Sequence, residues 1–461
     1  MASRPSSLKL AIVGAGWAGM AAAVEAASRG ADVTVFEAAR TLGGRARALN
    51  ASLPDGTPLT LDNGQHILIG AYADSLALMQ RVGVDLSQAL MSLPLALPHA
   101  DGSGLQTPAW ATRWPAPLDA LAAIATARGW RWRDRLALVR ASLRWQRAGF
   151  VCAPELSVAE LCADLPPRVN QELIEPLCVS ALNTPVETAS AAVFLRVLRD
   201  SLFGKGFAGF SPASLLLPRT DLSRLFPDAA ASWLHTHTAA SRVRLGTRVG
   251  TLRPLGTQWM LGHEDGEEAF DGVIWATAAS PAEKAIGQAA DDCDETTAHT
   301  LTAWAHGTRA LPFTALTTVY AWAPNAQLPL PMLALRSEPD AQAAPAQFVF
   351  DRGQLQPQDP AAQGLLAFVV SASSDDREDL QARVLQQAAR QLGLDTLQPV
   401  QTVVEKRATF ACTPGVVRPV QHIAPGLWAA GDYVQGPYPA TLEGAVRSGL
   451  SAARQAVGAT G

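Results

Sequence analysis

Lysine is nearly missing from this chain. Lys9, Lys205, Lys284 and Lys406 are the only four among 37 basic residues, and this dominance of arginine, with abundant alanine, is the signature of a GC-rich genome. Positive charge is not in excess either: 41 acidic residues leave a formal net charge of −4, so no overall field invites nucleic acid. Cysteine is scarce as well. Cys152, Cys162, Cys178, Cys293 and Cys412 are scattered, odd in number and without a CxxC pair, which argues against a disulfide framework and a metal centre. Reduced thiols are expected, and with them a cytoplasmic location. No apolar run is fit to cross a bilayer. The longest uncharged stretch, Ala310 to Leu335, is interrupted by Pro312, Pro324, Pro329 and Pro331 and reads as buried strands and loops. What remains is an ordinary folded composition, 48% hydrophobic and 17% charged over 461 residues. By length alone it corresponds to about three domain-sized units.

The organising stretch runs from Leu8 to Arg47. Leu8 to Val13 is an apolar run of a buried parallel strand, and Gly14-Ala15-Gly16-Trp17-Ala18-Gly19 follows at once. An Ala-rich helix ends at Gly30, a second strand covers Val33 to Phe36, and Glu37 and Ala38 follow, with Glu37 eighteen residues beyond Gly19. This is the strand, glycine turn, helix, strand, acid order of a dinucleotide site. Gly14 permits the turn, Gly16 admits a pyrophosphate, and Gly19 lets helix and strand pack closely. The helix start at Trp17 and Ala18 offers N–H groups to the phosphates, and Glu37 offers acceptors to a ribose without a 2′-phosphate.

The next loop selects the dinucleotide. Leu42-Gly43-Gly44-Arg45-Ala46-Arg47 resembles the Gly-Gly-Arg loop of flavoproteins with the amine oxidase and phytoene desaturase architecture. That resemblance implies FAD, with Arg45 against the pyrophosphate or ribityl chain, where a guanidinium arranges donors that a lysine cannot. It also implies an α/β fold: a Rossmann-type FAD-binding domain with an inserted substrate domain of mixed sheet and helices. The FAD-binding domain is expected at 1–90, 215–290 and 410–461, and the substrate domain at 91–214 and 291–409.

Within this architecture Asp62-Asn63-Gly64-Gln65-His66-Ile67-Leu68-Ile69-Gly70-Ala71-Tyr72 is similar to a signature of the hydroxysqualene dehydroxylases of bacterial hopanoid synthesis. Two further blocks carry the same resemblance in the same chain order, Pro176 to Pro185 continuing at Ala189 to Leu202, and Leu215 to Ser223. Ala73 departs from the family pattern, where a basic residue is expected. The resemblance implies a C30 isoprenoid substrate, an electron donor that the sequence does not name, and isoprenoid synthases as partners. It places Gly64, Gln65 and His66 beside the flavin. His66 is either a polar group at the reacting centre or a histidine bonded structurally to its loop. Desaturation of an apolar polyene, and isoprenoid carriage without chemistry, are the competing readings.

Later segments return to the cofactor. Residues 242–270 alternate as a meander, and the resemblance puts the Val249 backbone at the adenine. The strand Asp271 to Ala278 brings Thr277 towards the pyrophosphate. Gly431 and Asp432 would carry the ribityl chain, and Thr441 and Leu442 begin a helix facing the flavin pyrimidine edge. A helix N-terminus there stabilises the negative charge that reduced flavin develops. Tyr438 is the second candidate for a catalytic group over the ring. No residues group as metal ligands.

Residues 105–150 stand apart in composition. They hold five of the twelve tryptophans and eight arginines (113, 128, 131, 133, 135, 140, 144 and 147) against Asp119 and Asp134. Leu136, Val139 and Leu143 recur at helical spacing. Such a basic, tryptophan-bearing helix either covers a large pocket with its arginines in water or lies on the inner face of the cell membrane.

Overall fold

The computed structural model describes residues 7–112, 114, 117–238, 240–336, 343–373 and 376–459; Arg113 of the arginine-rich segment lies outside them. The first apolar run forms β1 (Lys9–Val13), the glycine turn leads into α1 (Trp17–Ser28), and the chain returns as β2 (Asp32–Glu37). β1 lies between β2 and the strand Gly272–Trp275, with Val13 opposite Phe36 on one side and Trp275 on the other. Arg242–Leu245 extends the sheet beyond β2 in parallel, Leu427–Ala429 extends it beyond Gly272–Trp275, and the antiparallel His422–Ala424 closes that edge. Three distant stretches therefore build one sheet. Its inner strands are almost continuously apolar because helices cover them.

α1 is apolar nearly all round, and Trp17 to Ala27 are all buried, as a helix hydrophobic on every side must be. It packs against the C-terminal helix Leu442–Gly458, where a Cβ on Gly449 would stand 2.1 Å from the Ala18 carbonyl oxygen. Glu25, buried within α1, is met by Arg29, Arg81 and Arg454. Burial opposes the charge of that carboxylate, and the three arginines outweigh it, lowering its pKa to about 2.

A second, five-stranded antiparallel sheet has the order Met332–Ala334, Phe348–Asp351, Leu365–Ser373, Phe313–Trp322, Gln398–Phe410. Period-two alternation divides its side chains. Val319, Val349, Leu366 and Phe368 pack with Leu380, Val384 and Ala388 of helix Arg377–Leu392, whereas Phe348, Phe350, Val369 and Leu316 face the central cavity.

One local reading of the sequence needs correction. Arg242–Leu245 does not join the meander, which consists of Val249–Leu255, Gln258–His263 and Gly266–Phe270. Gln398–Phe410, at 13 residues, is the longest described strand, and its pairing with Phe313–Trp322 is interrupted by register shifts that break the alternation.

Behind the cavity wall lies a buried ion pair. Arg352 Nη1 is 3.2 Å from Asp62 Oδ2 and donates to Gln65 Oε1 at 3.1 Å. Asp62 ends the strand Pro58–Asp62 that delivers Gln65 and His66.

Candidate active site

The glycine turn and the loop after β2 form a cradle. Gly14 has a φ of 109°, and a Cβ there would stand 2.7 Å from the Ala276 carbonyl oxygen, so a larger residue cannot make this turn. A Cβ on Gly19 would lie 1.9 Å from the Gly14 oxygen, which locks α1 onto the turn. Gly16 caps α1 without a side chain and pairs in parallel with Gly43. The start of α1 is thus open to an anion, with Trp17 and Ala18 on the cavity. The Trp17 ring is buried and donates to the Ala46 carbonyl at 3.2 Å, so its side chain serves the loop and its backbone faces the site.

Glu37 latches this cradle. Its two carboxylate oxygens accept from Ala15 N at 2.7 Å and Ala39 N at 2.8 Å, leaving further lone pairs for a ribose. Arg45 spans the chain to Asp432 and also donates to the Ala408 carbonyl. Burial disfavours the Arg45 charge, but Asp432, with Glu405 beyond it, raises its pKa above the ordinary value. Thr441 caps the C-terminal helix, its hydroxyl accepting from Gly444 N at 3.0 Å. Glu443 in the first turn accepts from Asp74 N and Ser75 N, closing the start of helix Ala73–Arg81 from a distant part of the chain.

One cavity of about 790 Å³ gathers these parts. Gly14, Gly16, Trp17, Ala18, Glu37, Ala38, Gly43, Gly44, Arg45, Gln65, His66, Val249, Thr277, Gly431, Asp432, Thr441 and Leu442 all line it. Gly19 and Gly64 do not, and act through the backbone beneath it. Tyr438 also does not, and this corrects the expectation of a tyrosine over the ring. Its hydroxyl is hydrogen-bonded to Asp200, and its ring lies near Arg196 and Arg447. Tyr72 lines the cavity instead, edge-on to Tyr438 with ring centroids 5.9 Å apart.

The cavity changes character along its length. Glu37, Arg45, Arg248, Lys284 and Asp432 are the charged residues on it, all in the loops and strands that build the dinucleotide cradle or on the helix following them. The remainder is walled by residues such as Leu177, Val197, Leu198, Phe348 and Phe350, with no acidic group among the described residues there. His66 stands among the few polar groups of that half. Its Nδ1 is 2.8 Å from the Gly64 carbonyl, which can only accept, so Nδ1 carries the proton. Burial lowers its pKa below 6.5, and the Arg45 charge acts the same way. The ring is therefore neutral at neutral pH and Nε2 is an acceptor. Asn183, missed as a site residue, also lines the cavity. It donates to Thr314 and Thr409 hydroxyls at 3.1 and 3.0 Å and accepts from Ala372 N at 2.9 Å, tying a helix end to three strands. Its left-handed backbone, with a φ of 47°, ends the helix Glu175–Leu182 and turns the chain there.

A half-buried arginine held by an acid, an uncapped helix start beside paired glycines, and an acid at the end of β2 fit FAD along one continuous trough. Fold and site together define a dinucleotide-dependent flavoprotein oxidoreductase. A family model for flavin containing amine oxidoreductase matches residues 17–457, and the chain belongs to that family, with FAD as its cofactor. The chain is 24% identical over 490 residues to a hydroxysqualene dehydroxylase of Rhodopseudomonas palustris, covering 96% of each protein. It is 40% identical over 76 residues to a zeta-carotene desaturase of Synechocystis, covering 16% of this chain and 15% of that one. The solved structure of cyclohexylamine oxidase from Brevibacterium oxydans superposes with a TM-score of 0.62 at 17% identity, over 98% of this chain and 99% of that one, which establishes the shared fold.

Proposed function

We propose that this FAD-dependent oxidoreductase reduces hydroxysqualene to squalene. The observation that carries the reading is the end-to-end similarity to the Rhodopseudomonas palustris hydroxysqualene dehydroxylase, against a match to the carotene desaturase confined to 76 residues. The apolar half of the cavity supports it, since a C30 chain needs such walls and no acidic group among the described residues lines that half. In the overall reaction the carbinol C–O bond breaks, a proton is taken up and water leaves; a C–H bond forms, and the substrate gains two electrons. FAD in its reduced form supplies the hydride. A separate donor restores it.

The protein's own residues have three tasks. Leu177, Val197, Leu198 and Phe350 exclude water that would recapture the allylic cation left by the departing hydroxyl. His66 Nε2 accepts from the substrate hydroxyl and holds that oxygen where the polar and apolar halves meet. The start of the C-terminal helix, at Thr441 and Leu442, favours negative charge at its end of the cavity.

The test uses FAD-loaded protein, chemically reduced without oxygen and mixed in detergent with hydroxysqualene. The flavin spectrum is followed and the lipid extracted. Flavin reoxidation with an equal amount of squalene is expected. An absence of both would overturn the reading, and polyene oxidation by the oxidised protein would then identify a desaturase.

A further inference from the structure

The large apolar side chains left in water are not scattered. Of thirteen such residues among those described, eight fall between positions 110 and 151, including Trp110, Trp132 and Val151 at 59%, 78% and 70% exposure. Isolated exposed apolar residues need no explanation, but a cluster marks a surface that meets something.

The helix Trp132–Arg147 shows what kind of surface it is. Leu138, Ala141 and Trp145 bury one stripe against the protein. Trp132, Leu136 and Leu143 form a second apolar stripe that is exposed. At 100° per residue the exposed stripe occupies an arc of roughly 40°, about opposite the buried one. A helix that only covers a pocket carries polar residues on its outer side. Here arginines flank the outer apolar stripe: Arg133, Arg140, Arg144 and Arg147 lie along one side of it and are exposed. The Arg135 guanidinium sits 5.3 Å from the Trp132 ring. The preceding helix Leu118–Thr126 adds Leu118 and Leu121, both exposed, and Trp110 and Trp114 meet edge-on at 4.9 Å.

This surface also touches the wall of the cavity. Helix Ala191–Phe203 lines the apolar half with Val197, Leu198, Ser201 and Leu202. Its last residue, Phe203, is 42% exposed and packs against Phe150, just past the basic helix, with ring centroids 5.5 Å apart.

We infer that this face docks on an anionic lipid bilayer, with Trp132, Leu136 and Leu143 at the boundary of headgroups and acyl chains and the arginines on lipid phosphates. Tryptophan and arginine around an apolar stripe are the chemistry of that boundary. A second copy of the chain would set two like-charged faces against each other. Docking brings the Phe150 and Phe203 end of the cavity wall to the lipid, so an apolar substrate passes between bilayer and cavity without crossing water. Docking does not depend on which lipid is the substrate; passage of a C30 alcohol rests on the function proposed above.

The experiment floats FAD-loaded protein, without substrate, with vesicles of phosphatidylcholine alone or mixed with phosphatidylglycerol. Binding to the mixed vesicles is expected, weaker in high salt and weaker on phosphatidylcholine alone. Trp132→Ser with Leu143→Ser should reduce partitioning by more than about tenfold, from the apolar area withdrawn from lipid. Arg133→Gln, Arg140→Gln and Arg147→Gln should each reduce it by about fivefold on anionic vesicles only. Both variant sets change exposed side chains, and an unchanged flavin spectrum verifies folding. Failure to bind anionic vesicles, binding that neither set weakens, or a dimer dispersed by the Trp132 and Leu143 changes would overturn the inference.

Discussion

Replacing Arg352 by methionine takes one partner from a buried pair and strands the other. The Arg352 and Asp62 side chains are 0% and 2% exposed at 3.2 Å separation. Methionine fills much of the space of the arginine stem but carries no charge. Asp62 would keep the Leu222 N–H at 2.8 Å, and Gln65 would lose its donor. Breaking a buried pair from one side costs about 3–5 kcal/mol. At about 1 °C per kcal/mol for a chain of this length, the unfolding midpoint should fall on the order of 3–5 °C. The loss also has a pH signature. Burial already raises the Asp62 pKa above 3.8 despite the Arg352 charge, and removing that charge raises it further. A carboxyl whose folded pKa exceeds its unfolded one favours the fold below the unfolded value and loses that contribution as pH rises through the folded value. The gap between wild type and Arg352→Met should therefore be widest at neutral and alkaline pH and narrow as pH falls through the raised Asp62 pKa. Thermal unfolding followed by flavin fluorescence across pH measures this, and adding Asp62→Asn should recover part of the loss. A penalty independent of pH and untouched by Asp62→Asn would refute the electrostatic account.

Glu37→Ala removes the acceptors of Ala15 N and Ala39 N together with the ribose acceptors, so FAD affinity should fall by at least about tenfold in reconstitution titrations of the apoprotein. Protonation of His66 Nε2 removes its acceptor for the substrate hydroxyl, so turnover should fall as pH drops through a value below 6.5, and His66→Gln should flatten that profile in anaerobic reoxidation assays. Cys162, Cys178 and Cys412 are buried, with pKa values pushed up to about 12 by desolvation, so a thiol reagent should modify Cys152 and Cys293 first and reach all five cysteines only after unfolding.

The parts of the site that were legible in the sequence are those where local backbone chemistry leaves no alternative. The Gly14 turn, the Gly43–Gly44 pair and Glu37 at the end of a strand carry their spatial meaning within forty residues of each other, and they converge on the cavity. The strand Phe313–Trp322 likewise falls within the proline-interrupted stretch that reads as buried strands and loops. What escaped depends on contacts between distant segments. Nothing near Tyr438 announces that Asp200 holds its hydroxyl and that Tyr72 takes the place on the cavity. Arg352 looks like a surface arginine after a strand until Asp62, 290 residues earlier, is brought beneath it. Glu443 resembles an ordinary first-turn acid, yet it caps another helix.

The close approach of Gly449 to Ala18, and the reach of Arg45 to Asp432, set a timetable on biosynthesis. A ribosome exposes β1, α1 and β2 early, but Asp432 and the Thr441 helix start emerge hundreds of residues later. Until then the cradle has a floor and no clasp. Closure of the cradle over a flavin accordingly waits for residues about 400 positions beyond the glycine turn.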